Sequence, residues 1–246
     1  MDGMIYVAMS AARETMHRQA TNNHNLANAN TTGFKAVVDG FEAMPVYGAG
    51  HPSRAYTQDR GIGNDLSTGS LTATGNPLDV AIDGEGFLLV QDSLGREVMT
   101  RGGALRIGAG GLLETGRGDL VLGDGGPITV SPYESITIGR DGTLSIRPAG
   151  QGPEAMAVLD RLRLVKPDPG NVMRNDRGNF VTRDGTPPAA DAAITLVGET
   201  LETSNVDSVG AMVTMIELAR QYETNVKLMK SAEDNDSAST KLLQLS

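Results

Sequence analysis

The sequence predicts an α+β fold in which N- and C-terminal helices pair as an α-helical coiled-coil module around an inserted, mainly-β central domain. All eleven prolines lie between Pro45 and Pro188, so only the two ends of the chain can form long uninterrupted helices. Both ends also carry apolar residues at heptad spacing. The middle instead carries short apolar runs between turn signals, which is typical of β-strands.

The N-terminal helix is predicted from residues that recur at spacings of four and three, which form a heptad seam. The seam consists of Ile5, Met9, Ala12, Met16, Gln19, Asn23 and Leu26. The stretch that follows, NLANANTTGFKA at residues 25–36, is rich in Asn and Gly. We therefore expect a tight turn with left-handed backbone positions where this helix ends.

The same spacing predicts a C-terminal helix over residues 206–244, capped by Ser204 or Asn205 and roughly 60 Å long. Neither terminal seam is apolar enough to hold a lone helix in water, and both are rich in Met and Ala. We therefore expect both helices to complete their burial against other copies or other proteins. The C-terminal seam is Met212, Met215, Ala219, Tyr222, Val226 and Met229, widened by Val209, Val213 and Ile216.

Asp-Gly pairs divide the central region into short segments, and each pair predicts a hairpin turn. They occur at residues 83–84, 124–125, 141–142 and 184–185. The stretch before this region shows no clear periodicity, and we interpret it as an extended, partly irregular arm. The predicted organisation is an N-terminal helix and turn at 1–36, the arm at 37–76, a β-rich central domain at 77–200 and a C-terminal helix at 201–246.

Composition excludes several classes of function. The net charge is −9 and no run of basic residues occurs, so nucleic acid is not an expected partner. The absence of cysteine excludes disulfides, thiolate nucleophiles and Cys-ligated zinc. The N-terminus lacks the pattern of a cleaved signal peptide, and no apolar stretch is long enough to predict stable membrane insertion.

The sequence predicts no catalytic residue, no metal site and no cofactor. His17 and His24 share a helix face, but they lie two turns apart, roughly 10 Å along the axis, which is too far for one metal ion. The Gly-rich stretches GAGG and GDGG do not open a helix, so phosphate binding is not expected. These observations favour a protein that is not an enzyme.

Four stretches carry a family resemblance: NLANANTTGFKA, MDGMIYVAMSAARETMHRQATNN, TGNPLDVAIDGEGFLLVQ with MTRGG, and SNVDSVGAMVTMIELARQYETNVKLMKSAEDNDSASTKLLQL. They resemble the motifs of the flagellar axial protein family, whose members build the rod and hook of the bacterial flagellum. The first closely resembles the family's N-terminal motif, the second the start of its proximal-rod subgroup, the third its central motif and the fourth its C-terminal motif. Gly210 and Ala104 depart from the family pattern, which commonly has an acidic residue and a bulky aromatic residue there.

The resemblance implies a structural subunit of the proximal rod of the flagellar basal body, spanning the periplasm. Its implied partners are other proximal and distal rod subunits and, during secretion, the flagellar type III export apparatus. The terminal helices would assemble into a helical, torque-transmitting shaft, and Phe34 would anchor the turn against neighbouring helices. The expected interface residues are Ile5, Met9, Ala12, Met16, Asn25, Leu26, Asn28, Asn30, Gly33, Phe34, Met212, Met215, Ala219, Tyr222, Val226 and Met229.

Two alternatives remain open at the level of sequence. A distal rod or hook subunit of the same family would share the terminal motifs, although the MIYVAMS start argues against it. A secreted β-rich enzyme or adhesin would need a preformed pocket and a ligand.

Overall fold

The computed structural model describes residues 4–45, 55–150, 152 and 155–244. Within them the chain forms two helices, α1 (Met4–Ala27) and α2 (Ser208–Gln244), and eighteen strands, which confirms the α+β class. The strands are β1 (Val37–Pro45), β2 (Ala55–Asn64), β3 (Leu71–Ala73), β4 (Val80–Asp83), β5 (Phe87–Gln91), β6 (Glu97–Thr100), β7 (Leu105–Ile107), β8 (Leu113–Thr115), β9 (Leu120–Gly123), β10 (Gly126–Pro127), β11 (Tyr133–Ile138), β12 (Thr143–Pro148), β13 (Ala157–Arg161), β14 (Leu164–Val165), β15 (Val172–Arg174), β16 (Phe180–Thr182), β17 (Thr195–Gly198) and β18 (Thr200–Glu202).

The chain divides into two units. The helical unit comprises Met1–Ala27, Val37–Gly63 and Asp207–Ser246, and the β-rich unit comprises Asn28–Ala36 and Asn64–Val206. The Asn/Gly turn therefore groups with the strands, whereas the sequence-based division placed it with the N-terminal helix. The side-chain contacts of the turn, described below, account for this grouping.

In the helical unit, α1 and α2 lie against each other in antiparallel orientation. The Nδ2 of Asn22 donates to the carbonyl of Ala211 (2.8 Å), and the Nδ2 of Asn225 donates to Thr15 Oγ1 (3.3 Å). Positions buried on the two helices repeat at heptad intervals, as expected for helices that lie side by side. The positions that follow this spacing are Ala8, Ala12 and Thr15 on α1, and Ala211, Leu218, Asn225 and Ala232 on α2; Glu14 on α1 is buried as well.

The buried face differs from the predicted seam at every second position. On α1, Ala8 and Thr15 are buried, whereas the neighbouring Met9 and Met16 are more than half exposed. On α2, Leu218 is buried beside the exposed Ala219, and the same one-residue difference recurs along the helix. Small side chains let two backbones approach closely, so Ala and Thr face the partner helix although Met is more hydrophobic.

Helix α2 begins two residues later than predicted. Its cap is Asp207, whose Oδ1 accepts from the Val209 N–H (3.1 Å), while Ser204 and Asn205 lie before the helix. The helix of 37 residues is about 55 Å long at 1.5 Å per residue. A Cβ added to Gly210 would lie 2.5 Å from Asp207 Oδ2, so glycine leaves room for the capping carboxylate.

The stretch predicted as an irregular arm contains three strands. Strands β1 and β2 pair within the helical unit, and Asp39 on β1 accepts from Thr21 Oγ1 on α1 (3.0 Å). Strand β3 pairs with β18 in the β-rich unit. Backbone groups alone can pair two strands, so polar and Gly-containing segments form them without a regular apolar pattern. The middle of the predicted arm, residues 46–54, lies outside the described residues.

The β-rich unit is built from antiparallel pairs. Its largest sheet, in the described residues, has the strand order β15-β16-β6-β5-β9-β8-β7, with β10 beside β9 and β14 beside β5. Strands β11-β12-β13 form a second sheet, and the late strands β17 and β18 return to pair with β4 and β3. The largest apolar core joins the first two sheets, and its members with no exposed surface are Val90, Leu113, Val121 and Leu144.

Two of the four Asp-Gly pairs join paired strands. Asp124-Gly125 links β9 to β10, and Asp141-Gly142 lies in the loop between β11 and β12. The pairs at 83–84 and 184–185 do not form hairpins, because β4 pairs with the distant β17 and β16 ends before a long loop. In the described part of the chain, neither helix carries an apolar stretch long enough to cross a bilayer.

Candidate assembly interface

Helix α1 presents an apolar stripe that nothing in the described structure covers. Tyr6, Met9 and Met16 are exposed by 54%, 53% and 55%. They lie three and seven residues apart, so they share one face of the helix. We call these three residues the α1 stripe.

Helix α2 presents a longer stripe of the same kind. The stripe consists of five exposed large apolar side chains with exposures between 40% and 70%: Val209, Met212, Val213, Ile216 and Val226. Isolated exposed apolar residues are normal, but a sustained stripe along one helix marks an interaction surface. We call these five residues the α2 stripe.

The predicted helix residues fall into two sets. Met9, Met16, Met212, Ala219 and Val226 are exposed and available to another molecule. The remaining members are covered at least in part by their own chain: Ala12 is buried, and Ile5, Leu26, Met215, Tyr222 and Met229 are half-buried.

Asn25 lies near the C-terminal end of α1, and its side-chain amide forms two hydrogen bonds with the backbone of Val37. Its Oδ1 accepts from the Val37 N–H and its Nδ2 donates to the Val37 carbonyl, both at 2.8 Å. Two hydrogen bonds to one residue fix the start of β1 beside the last turn of the helix. An aspartate or leucine at this position would lose one or both of them.

The turn itself is short and internally bonded. The Asn28 carbonyl accepts from the Thr31 N–H (3.0 Å), and its Oδ1 accepts from Thr31 Oγ1 (3.2 Å). Asn30 is exposed at the tip. Gly33 has a φ of +66°, and its N–H donates to the Glu202 carbonyl (2.8 Å). A Cβ at Gly33 would lie 2.3 Å from the backbone carbonyl of Arg101, so this close approach requires glycine.

Phe34 is buried inside the β-rich unit, with only 5% of its surface exposed. The Arg174 guanidinium lies 4.4 Å from the Phe34 ring centroid and 5.0 Å from that of Phe180. The Nη2 of Arg174 also donates to the Lys35 carbonyl (2.6 Å). Phe34 therefore anchors the turn to strands of its own chain, whereas the sequence-based expectation placed it against neighbouring helices.

Three buried charges hold the turn from the other side. Lys35 Nζ lies 2.5 Å from Glu202 Oε1, and Arg101 Nε lies 3.0 Å from Glu202 Oε2. The side chains of all three are at most 2% exposed. Backbone carbonyls add further hydrogen bonds: Lys35 donates to the Ser67 carbonyl, and Arg101 donates to the carbonyls of Gly84 and Gly86. A buried ion cluster of this kind persists because its members are paired and hydrogen-bonded.

Burial dominates the electrostatics of this cluster. It lowers the pKa of Lys35 although Glu202 opposes the shift, and the neighbouring Arg101 lowers the pKa of Lys35 further. Burial likewise lowers the pKa of Arg101, again against the attraction of Glu202. Two cations therefore share one carboxylate, and removing Glu202 would leave both uncompensated.

Asn205 completes the junction just before α2. Its Oδ1 accepts from the Ala36 N–H (2.7 Å), and its Nδ2 donates to the carbonyls of Asp65 (2.9 Å) and Ser67 (3.2 Å). Sequence reasoning missed the roles of Lys35, Arg101, Glu202 and Asn205. Lys35 and Arg101 lie within the motifs NLANANTTGFKA and MTRGG, so the sequence marked their positions. It did not indicate their contacts, because their partners are far away in sequence.

The arrangement favours binding between macromolecules over chemistry. Among the described residues, no group of three or more His, Asp or Glu side chains could hold a metal ion. The distinctive features are instead two exposed apolar stripes and a turn locked to its own β-rich unit. Such a surface can pack against other helices.

Three family descriptions match successive parts of the chain. "Flagella basal body rod protein" matches residues 5–35, "Flagellar hook protein FlgE/F/G D1 domain" matches 81–146, and "Flagellar basal body rod FlgEFG protein C-terminal" matches 197–242. These segments include α1 with its turn, part of the β-rich unit, and most of α2.

Among curated proteins, the chain is similar to flagellar basal-body rod protein FlgF over its whole length. It is 40% identical to the protein of Salmonella typhimurium and 39% identical to that of Escherichia coli, with 100% of both chains covered in each case. It is 28% identical to flagellar basal-body rod protein FlgG of Borreliella burgdorferi, with 94% of both chains covered.

Proposed function

The chain belongs to the flagellar basal-body rod protein family, as the sequence motifs implied, and we propose that it is a proximal-rod subunit that assembles through its terminal helices. It is a structural component of the rod of the flagellar basal body. Its identity to FlgF proteins, up to 40% over the full length, exceeds the 28% found for a FlgG protein, which supports the proximal-rod assignment.

The exposed stripes of α1 and α2 carry the assembly proposal. Each helix already uses one heptad face within its own chain and presents a second apolar face to solvent. Covering apolar surface stabilises an assembly by about 25 cal/mol per Å². The two helices pair as a coiled coil within the subunit, and the stripes bind the helices of neighbouring subunits by the same kind of packing.

The partners are other rod subunits, both proximal and distal. The similarity to FlgF and FlgG proteins supports a shared mode of packing, because each partner would present equivalent terminal helices. The chain acts as a non-catalytic part of a helical, torque-transmitting shaft in the periplasm. It reaches that place through the flagellar export apparatus.

The β-rich unit gives the subunit a stable body that does not depend on neighbours. Its core residues, such as Val90, Leu113 and Leu144, are fully buried within the chain. The turn that follows α1 is held within this unit by buried contacts. Assembly then needs only the helix stripes to be covered.

A strain that lacks this chain tests the proposal. We expect it to be non-motile, with basal bodies whose rod stops before the distal segment, and restored by the full-length chain. Purified basal bodies from the restored strain should contain the chain. Normal rods and swimming in the deletion strain would contradict the proposed function, and a rod that stops only beyond the proximal segment would favour a distal position.

A further inference from the structure

The β-rich unit contains a cavity of about 180 Å³ beside the Asn/Gly turn. The turn residues Thr32 and Gly33 form one side, Ala104 lies within the lining, and Arg117 and Arg174 contribute two guanidinium groups. This space is large enough to admit an amino-acid side chain.

The two arginines give the cavity a positive charge that no carboxylate of the described residues offsets, although Arg174 also contacts the rings of Phe34 and Phe180. Among the described residues neither guanidinium has a carboxylate partner: Arg174 Nη2 donates to the Lys35 carbonyl, and Arg117 Nη1 donates weakly to the Arg177 carbonyl (3.4 Å). The Nε and Nη1 of Arg174 are buried without any hydrogen-bond acceptor in the described structure. Unpaired buried charge is costly, and buried guanidinium groups are normally satisfied.

The electrostatic cost is visible at Arg174. Burial, together with repulsion from Arg117, lowers the pKa of Arg174 to about 10. An anion in the cavity would oppose both effects. Arg117 is exposed, so its planar fork can bind a carboxylate through two parallel hydrogen bonds, while the half-buried Arg174 adds charge that water screens less well.

We propose that this cavity receives the carboxylate of an aspartate or glutamate side chain from a neighbouring rod subunit. The proposal rests on the proposed function, because it needs neighbours of this family. A second copy of this chain offers the required chemistry, since it carries 30 acidic against 21 basic residues. The contact would place a charged, orientation-setting bond next to the helix junction, in addition to the apolar stripes.

The first test uses the full-length chain and sodium glutarate as a probe of the side-chain carboxylate. Amide chemical shifts of Thr32, Gly33 and Gly178 should change and saturate at millimolar glutarate, against sodium chloride at equal ionic strength. Arg117→Glu should weaken the response at least tenfold, and Arg140→Glu, an exposed residue outside the cavity, should not. An unsaturable response, or equal responses in both variants, would overturn the site.

The second test measures assembly. Arg117→Glu should reduce swimming and the recovery of intact rods at least tenfold, with unchanged thermal unfolding, whereas Arg140→Glu should swim normally. Arg117→Ala, which removes the guanidinium without adding a charge, should reproduce the defect. Normal assembly of both cavity variants would overturn the proposal even where phosphate or glutarate binds, because the site would then hold a free anion only. That result would leave the proposed function intact, since the deletion strain tests it separately.

Discussion

Lys35 and Glu202 form a buried ion pair with 2.5 Å between Nζ and Oε1, although 167 residues separate them in sequence. Lys35 lies in the turn that follows α1, and Glu202 ends the strand that precedes α2. Gly33 bonds the same residue through its backbone, so side chain and main chain of Glu202 both hold the turn. This pair therefore joins the turn to the end of β18 within the β-rich unit.

Removing one member of this pair should destabilise the β-rich unit severely. Lys35→Met leaves Glu202 paired only with Arg101 and removes a buried hydrogen bond to Ser67, so we expect a loss of about 3–5 kcal/mol in the free energy of unfolding. Urea denaturation followed by circular dichroism measures it. Lys166→Met is the control, because its ion pair with Glu85 is exposed and its loss should leave stability unchanged within error. Equal midpoints for both variants would contradict the assigned role.

Gly33→Ala should be far more damaging than Gly75→Ala. Both glycines have a positive φ, +66° and +73°, which costs alanine about 1–2 kcal/mol. Only at Gly33 would the added Cβ meet backbone, 2.3 Å from the Arg101 carbonyl, while Gly75 has nothing within 4 Å. We expect an additional loss of about 1–3 kcal/mol at Gly33, seen as a lower Tm. Similar Tm values for the two variants would show that the close approach is absent in solution.

Asp92 should make stability depend on pH in the acidic range. Burial alone would raise the pKa of its carboxyl, but hydrogen bonds from Arg96 and the Leu94 N–H outweigh burial and hold it below the ordinary value of 3.8. The stabilisation is therefore complete above pH 3.8 and is lost as the pH falls through the lower folded pKa. Asp92→Asn should lower the Tm at pH 7, and its difference from the native chain should shrink below pH 3.8.

The exposed Asp176 provides the control for that measurement. Asp176→Asn should leave the Tm unchanged throughout the range. A Tm difference for Asp92→Asn that stays constant from pH 7 to pH 2 would rule out a depressed carboxyl pKa as its cause.

Val226→Asp should abolish swimming without unfolding the subunit. Val226 is 40% exposed on the α2 stripe, so a carboxylate is tolerated in the free chain but would be buried unpaired in an assembled rod. Gln221→Asp adds the same charge at another exposed position of α2 and should swim normally. Swarm diameter and thermal unfolding are measured for both variants. Normal swimming of Val226→Asp would show that Val226 is not part of the interface.

Much of the fold was predictable from sequence because proline and heptad spacing act locally. The sequence did not show which heptad positions face the partner helix. Met9 and Ala8 both satisfy a seven-residue repeat, and only packing against the partner helix decides which of them is buried. The role of Phe34 was mispredicted for a related reason. Its partner, Arg174, lies 140 residues further along the chain, and no local pattern indicates such a contact.

The central claim is that the outward stripes of the terminal helices become covered when the rod assembles. The chain has no cysteine, so a single introduced thiol reports one position. Ile216 on the α2 stripe is 53% exposed, and Leu218, two residues away on the same helix, is 3% exposed. Maleimide labelling of Ile216→Cys and Leu218→Cys, each as free chain and in purified basal bodies, therefore compares the two faces. We predict rapid labelling of Ile216→Cys in the free chain and strong protection in basal bodies, with Leu218→Cys protected in both; equally rapid labelling of Ile216→Cys in assembled rods would contradict the account.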